Sequence, residues 1–375
     1  MTNGGDDLST NTATNAPPIP ARGRRPRRRG KGITLKTRQA VAGWAFVAPV
    51  VVLLGVFLVF PIIMALWVSV SDWSGAGSPF TGDFVGLSNF TDILVDGGLA
   101  TRQFGTSIRN NLWYVIVSVP IITALALGLA LIVSKPRKGV GLLRTAYYFP
   151  SVTSTVAAVI IFQFLFNVSG AINHMLAWVN ISGPNWTTDP RGVLHLALGA
   201  IGVEQAPGWA TENAVLGLPL WEWLSGPSVA MMVFIFMASL GASGTFMLIF
   251  LAGLKQISPD VYEAAAIDGA GRWTQFVKIT LPLLRPTMLT VLTLSLIGSW
   301  QVFDQIFAAG EAGGPANTTL TPAFLSFSWS FNNQQWGRGA ATAFLLFCII
   351  VVFSLIQRHV LRESSTVPRR KRFYK

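Results

Sequence analysis

SPDVYEAAAIDGAGRW, residues 258–273, is a compact polar segment set between two long apolar runs. Ser258 suits an N-cap, and Pro259 suits the first helical position, where a missing N–H costs nothing. Asp260 and Glu263 place negative charge on the positive end of the helix dipole. Ala264, Ala265 and Ala266 are strong helix formers with almost no side-chain bulk. Gly269 and Gly271 end the helix, a second one follows, and LPLLRP at 281–286 leads back into an apolar run. The physics describes a small, smooth, rigid connector with an exposed carboxylate. An ordinary surface helix joining two spans fits the composition equally well.

The surrounding chain is built for lipid. Of its 375 residues 51% are hydrophobic and only 12% charged, where a soluble domain carries about 25% charge. Mean hydropathy is +0.51. The fold class this predicts is all-α and polytopic. The single cysteine, Cys348, lies in an apolar run and reads as a small helix side chain. His174, His195 and His359 are scattered, without cysteine neighbours, so no metal site is expected.

A spanning helix needs about 20 apolar residues. Six runs qualify, at about 41–70, 112–133, 146–167, 228–254, 287–309 and 339–357. VLHLALGAIGV, 193–203, is too short to span and is expected as a helix at the outer surface or within a loop.

Basic residues then set the orientation, because Lys and Arg accumulate on the cytoplasmic side. Nine lie in residues 1–40, four in 134–145, four in 255–285 and seven after residue 357. The other loops hold only Arg102, Arg109, Arg191 and Arg338. Both termini are therefore expected in the cytoplasm of a cell-membrane, multi-pass protein. The net charge of +12 is accounted for by topology and anionic membrane lipid, with no need of nucleic acid. Residues 1–40 and 361–375 read as basic tails, the first of them disordered. The run after the first tail is too long for a signal peptide and lacks a small-residue cleavage site. GRRPRRRGKG has glycines at the wrong spacing for a phosphate-binding loop, and Gly32 stands where Ser or Thr is required.

The outer loops 71–111 and 168–227 are long, and loops of that length usually carry function. Trp221 and Trp223 read as interfacial anchors, with a docking surface as the alternative.

Glu263-Ala264-Ala265, three residues, Gly269, nine residues, Ile279, one residue and Leu281-Pro282 follow one another in a long, specific spacing. This resembles the EAA loop of ABC-importer permeases at every defined position. FVGLSNF (84–90), ITLPLLRP (279–286) and GGPANTT (313–319) extend the resemblance to the carbohydrate-uptake class, similar to the maltose and glycerol-phosphate systems. It covers about 41–360. The first tail and the 168–227 loop are longer than in most relatives. The resemblance implies a type I importer permease of six spans, with a coupling loop at 255–285. In that family the short helix docks into a groove on a cytoplasmic ATPase. Glu263 would meet that ATPase, Gly269 would be the bend, and Leu281 and Pro282 would start the next helix. The implied partners are a second, related permease, two ATPase subunits and an extracytoplasmic substrate-binding protein. ATP and Mg would be used by the ATPase, with no cofactor bound by this chain and no enzymatic activity of its own.

Candidate path residues come from polar groups inside the spans. In the fifth, Thr290, Thr293, Ile297, Trp300 or Gln301, and Asp304 recur at helical spacing as one mostly polar stripe. An aromatic ring beside an amide and a carboxylate suits a sugar; a polar contact between helices is the simpler role. Gln163 and Asn167 share a face of the third span. ASLGASG, 238–244, is read as close packing of the fourth span against the partner permease. A membrane enzyme acting on lipid-linked sugars, or an ATP-independent carrier, would leave the EAA spacing without a purpose.

Overall fold

The computed structural model describes residues 35–135, 138–203, 206–310 and 313–362. The expected basic tails lie almost wholly outside these residues. The chain divides into two units, Met1–Phe60 and Pro61–Lys375. The first contributes the helix Leu35–Leu54, with Pro49 inside it and a π-turn at Gly55–Val59. Its apolar side chains are exposed all round, as a helix dissolved in lipid requires.

Four helices among the described residues are long and apolar enough to cross a membrane: Lys36–Ser69, Leu99–Ser134, Val229–Lys255 and Trp336–Val360. Two bent pairs bring the number up to six: Val140–Val152 with Thr155–Leu165, and Arg272–Leu283 with Arg285–Trp300. The six expected runs are all helical, but two are not straight rods. The third bends by 96° where Thr153 and Ser154 are extended, just after Pro150. The fifth bends by 68° at Leu284, and its long helix stops at Trp300 instead of continuing to 309. Leu281 and Pro282 therefore close the segment before the bend and do not start the next helix.

In the second unit, the second long helix packs along the fourth through small side chains. Ala126 and Ala130 are fully buried against Met247 and Phe250. Within the ASLGASG stretch, Gly244 packs against the third segment of this chain, while Leu240 is exposed and nothing lies within 4 Å of a Cβ on Gly241. A Cβ on Gly244 would collide with the Tyr147 carbonyl and the Ser151 hydroxyl of the third segment.

The loops 71–111 and 168–227 carry two short antiparallel ribbons, Ser71–Asp72 with Asp83–Phe84 and Ala214–Val215 with Leu218–Pro219. Val193–Ala200 is an eight-residue helix in the longer loop. That loop is fastened to the start of the fourth helix. Val229 N–H donates to Arg191 O (3.0 Å), Ala230 N–H to Asp189 O (3.2 Å) and Met231 N–H to Ser228 Oγ (3.0 Å). These bonds satisfy donors that a helix start leaves open.

Candidate functional site

A cavity of about 380 Å³ opens between the second, third, fourth and fifth helical segments. Both helix breaks supply its wall: Pro150, Ser151, Thr153 and Thr155 from one, Gln301, Val302, Phe303, Asp304 and Gln305 from the other. Backbone freed by a broken helix at membrane depth must find partners or line a cavity. At the second break the carbonyls are met from elsewhere. Asn111 Nδ2 donates to Ser299 O (3.4 Å) and Trp300 O (3.3 Å), and Thr321 Oγ1 donates to Val302 O (2.9 Å). At the first, the Ser151 hydroxyl donates to Gly241 O (2.6 Å), tying the wall to the fourth helix.

The structure divides the expected path residues. Gln301 and Asp304 line the cavity, Asp304 as the first residue of a separate short helix, Asp304–Ala308. Trp300 does not line it. Its side chain is fully buried among Val115, Val119, Leu346 and Ile350, with Phe353 at 5.1 Å between ring centroids. Its Nε1 finds no hydrogen-bond partner among the described residues. The polar stripe does not hold either. Thr290 and Thr293 return their hydroxyls to their own helix, at Pro286 O (3.1 Å) and Leu289 O (2.8 Å). Such internal bonds remove the need to face water. The cavity instead takes the face bearing Leu294, Ser295, Gly298 and Ser299. Gln163 donates to Ala309 O (3.3 Å), joining the third segment to the short helix after the break. Asn167 is exposed and accepts from Ser169 N–H (3.4 Å), away from the cavity.

Sequence reasoning missed Tyr114 and Gln305. The buried Tyr114 hydroxyl donates to Gln305 Oε1 (3.2 Å), and both residues line the cavity. A tyrosine within LWYVIV was the available signal, because a buried hydroxyl needs a partner.

On the other side of the bundle, SPDVYEAAAI forms the helix Pro259–Ile267. The Ser258 hydroxyl accepts from Asp260 N–H (3.3 Å), as an N-cap should. Gly269 is left-handed at φ +80°, and Ala270 N–H donates back to Ala265 O (2.9 Å) while Gly269 N–H donates to Ala266 O (3.1 Å). This is the Schellman closure, and it makes Gly269 the bend. Glu263 and Ala264 are exposed and Ala265 is half-buried. Large apolar groups beside them are bare: Ile267 is 87% and Trp273 75% exposed. Behind the helix, the Tyr262 and Thr280 hydroxyls share a hydrogen bond of 3.0 Å. Ile279 is half-buried and Pro282 exposed.

Arg102, Arg109, Arg191 and Arg338, the four outside the expected cytoplasmic clusters, are all matched by carboxylates. Glu222 lies 3.8 Å from Arg102 and 3.5 Å from Arg109, Asp189 2.6 Å from Arg191 and Asp92 2.8 Å from Arg338. The hydrogen bonds and charge of Arg191 hold the buried Asp189 carboxyl below the usual range. Trp221 and Trp223 are half-buried in the loop's own packing, beyond the anchoring expected of them. Trp221 stacks on His195 at 4.3 Å, and Trp223 Nε1 donates to Val215 O (3.2 Å). Burial there pushes the His195 imidazole below its ordinary value.

The family described as binding-protein-dependent transport system inner membrane component matches residues 118–365. The lactose transport system permease protein LacF of Rhizobium radiobacter is 31% identical over 337 residues, covering 88% of this chain and 98% of that protein. The diacetylchitobiose uptake system permease protein NgcF of Streptomyces coelicolor is 30% identical over 349 residues, covering 92% and 88%. The crystal structure of a bacterial ABC transporter involved in the import of the acidic polysaccharide alginate shares the fold. Its TM-score is 0.67 at 19% identity, over 88% of this chain and 98% of that one.

Proposed function

Because the chain belongs to the family of binding-protein-dependent transport system inner membrane components, we propose that it forms the path for a sugar of di- or oligosaccharide size in an ATP-driven importer. It is a non-catalytic, multi-pass subunit. An external binding protein delivers the substrate, a second, related permease completes the path, and two ATPase subunits use ATP and Mg. Both termini lie in the cytoplasm, on the side where basic residues gather.

The observation that carries this reading is the EAA spacing on an exposed, capped helix with a left-handed glycine at its end. Glu263, Ala264, Ala265 and Gly269 face an ATPase groove, the smooth alanines allowing close approach and Ile267 supplying apolar contact. Ile279, Leu281 and Pro282 set the segment that returns to the bundle. Closure of the ATPase pair moves the short helix, and the helices shift between inward- and outward-open states whose balance each partner biases. The named substrates of the relatives, lactose and diacetylchitobiose, support a sugar as cargo. Gln301 and Asp304 offer an amide and a carboxylate to its hydroxyls within the cavity.

Glu263→Lys tests the reading in membranes holding the assembled importer. Sugar uptake is expected to fall by roughly 5- to 150-fold, the range of an ordinary coupling energy. The amount of inserted protein stays constant. Unchanged uptake refutes the role of Glu263.

A further inference from the structure

Three cations surround one cavity beside the short helix. This cavity, of about 820 Å³, opens where the second and fourth helices end and the short helix begins. Leu131, Ile132, Leu254, Ile257 and Phe276 give it an apolar floor, and Lys135, Lys255 and Arg272 stand on its rim. No Asp or Glu lines it. All three cations are exposed and form no ion pair among the described residues. Arg102, Arg109, Arg191 and Arg338 are the opposite case, the first two sharing Glu222 and the other two each having a carboxylate.

We propose that the cavity binds an anionic phospholipid, its phosphate held between Lys135, Lys255 and Arg272 and an acyl chain laid on the apolar floor. Basic pockets between spanning helices suit such head groups. Depth argues for lipid: the floor is made by the last turns of two spanning helices, level with head groups, and lipid chains reach it without crossing water. A soluble phosphate shares the charge but has nothing to place against Leu131, Ile132 and Phe276. Pro259 and Tyr262 also line the cavity, so a bound lipid touches the first turn of the short helix. Any effect on coupling rests on the transport reading above; the binding itself does not.

The test places the full-length chain, with its copurifying partners, in nanodiscs of phosphatidylcholine with or without phosphatidylglycerol. Native mass spectrometry then reads the retained lipid. Wild type is expected to retain phosphatidylglycerol over phosphatidylcholine. Lys135→Gln with Lys255→Gln is expected to weaken that retention about twenty-five-fold, at about fivefold per cation near the surface. Lys135→Arg with Lys255→Arg is expected to restore it, which separates charge from fold. Equal retention of the two lipids by wild type overturns the proposal, as does undiminished retention by the glutamine pair. Displacement of phosphatidylglycerol by inorganic phosphate assigns the site to a soluble anion and also overturns it. Because lipid is weighed directly, an importer inactive toward every sugar would refute the transport reading while leaving this result standing.

Discussion

The fourth and fifth spans are opposite in construction. The fourth, Val229–Lys255, runs unbroken for 27 residues without proline. The fifth bends by 68° between Pro282 and Pro286 and gives up helical geometry after Trp300. The fourth is fixed by contact: Gly244 meets the third segment and Gly253 meets Thr287. The fifth is fixed by substitution: Asn111 and Thr321 bond the carbonyls its break sets free. A straight span needs small residues and near neighbours. A broken one needs donors brought from elsewhere in the chain, and in return it opens its backbone and polar side chains to a cavity.

The largest effect on this contrast is expected from Trp300→Ala. Removing a fully buried indole at the break should cost about 3–5 kcal/mol. Thermal unfolding of the detergent-solubilised protein checks it. Trp300→Phe should stay within about 1.5 kcal/mol of wild type, because it fills most of the space and removes an unpartnered donor. A large loss from the phenylalanine would show that Nε1 has a partner.

Gly244→Leu attacks the other span and should cost about 1–3 kcal/mol by overpacking against backbone. Gly241→Val, less than one turn away, sharpens the comparison, since nothing lies within 4 Å of its Cβ direction and it lines the cavity. Stability should hold within about 1 kcal/mol, allowing for the β-branched side chain in a helix. Uptake should fall because the cavity narrows. If both variants destabilise equally, the division of this helix into a packed face and a cavity face is wrong. Asp304→Asn, at the break and exposed, should leave unfolding unchanged and raise the uptake KM about tenfold if the carboxylate meets sugar, since each 1.4 kcal/mol lost is tenfold.

The smallest effect concerns the start of the fourth span. Asp189 has a depressed pKa, so its ion pair with Arg191 contributes in full above the unfolded value of about 3.9. That contribution is lost as pH falls through the lower folded value. The stability difference between wild type and Asp189→Asn should therefore be present at neutral pH and vanish in strong acid.

The runs that cross the bundle were legible because lipid demands length and apolarity, which composition displays. The short helix was legible, since Ser258, the alanines and Gly269 each act locally, although Gly271 precedes the next helix and does not end this one. The break after Trp300 was not. SWQVFDQIF has no proline or glycine to announce it, and the groups that make it tolerable, Asn111 and Thr321, lie far away in the chain. The threonine stripe misled for a related reason. A hydroxyl polar in sequence is already spent on the carbonyl four residues behind it. Pro150 with Ser151, Thr153 and Ser154 did hold a readable signal for the first break.

The hydroxyl pair of Tyr262 and Thr280 acts as a strut across the open mouth of a bracket. Hinged only at Gly269, the two arms would fold or splay under load and dissipate any push in that flexing. Under the coupling proposed above, a brace of 3.0 Å would make the two arms pivot together, passing a sideways shove on the alanine face toward the segment that leads to Arg285.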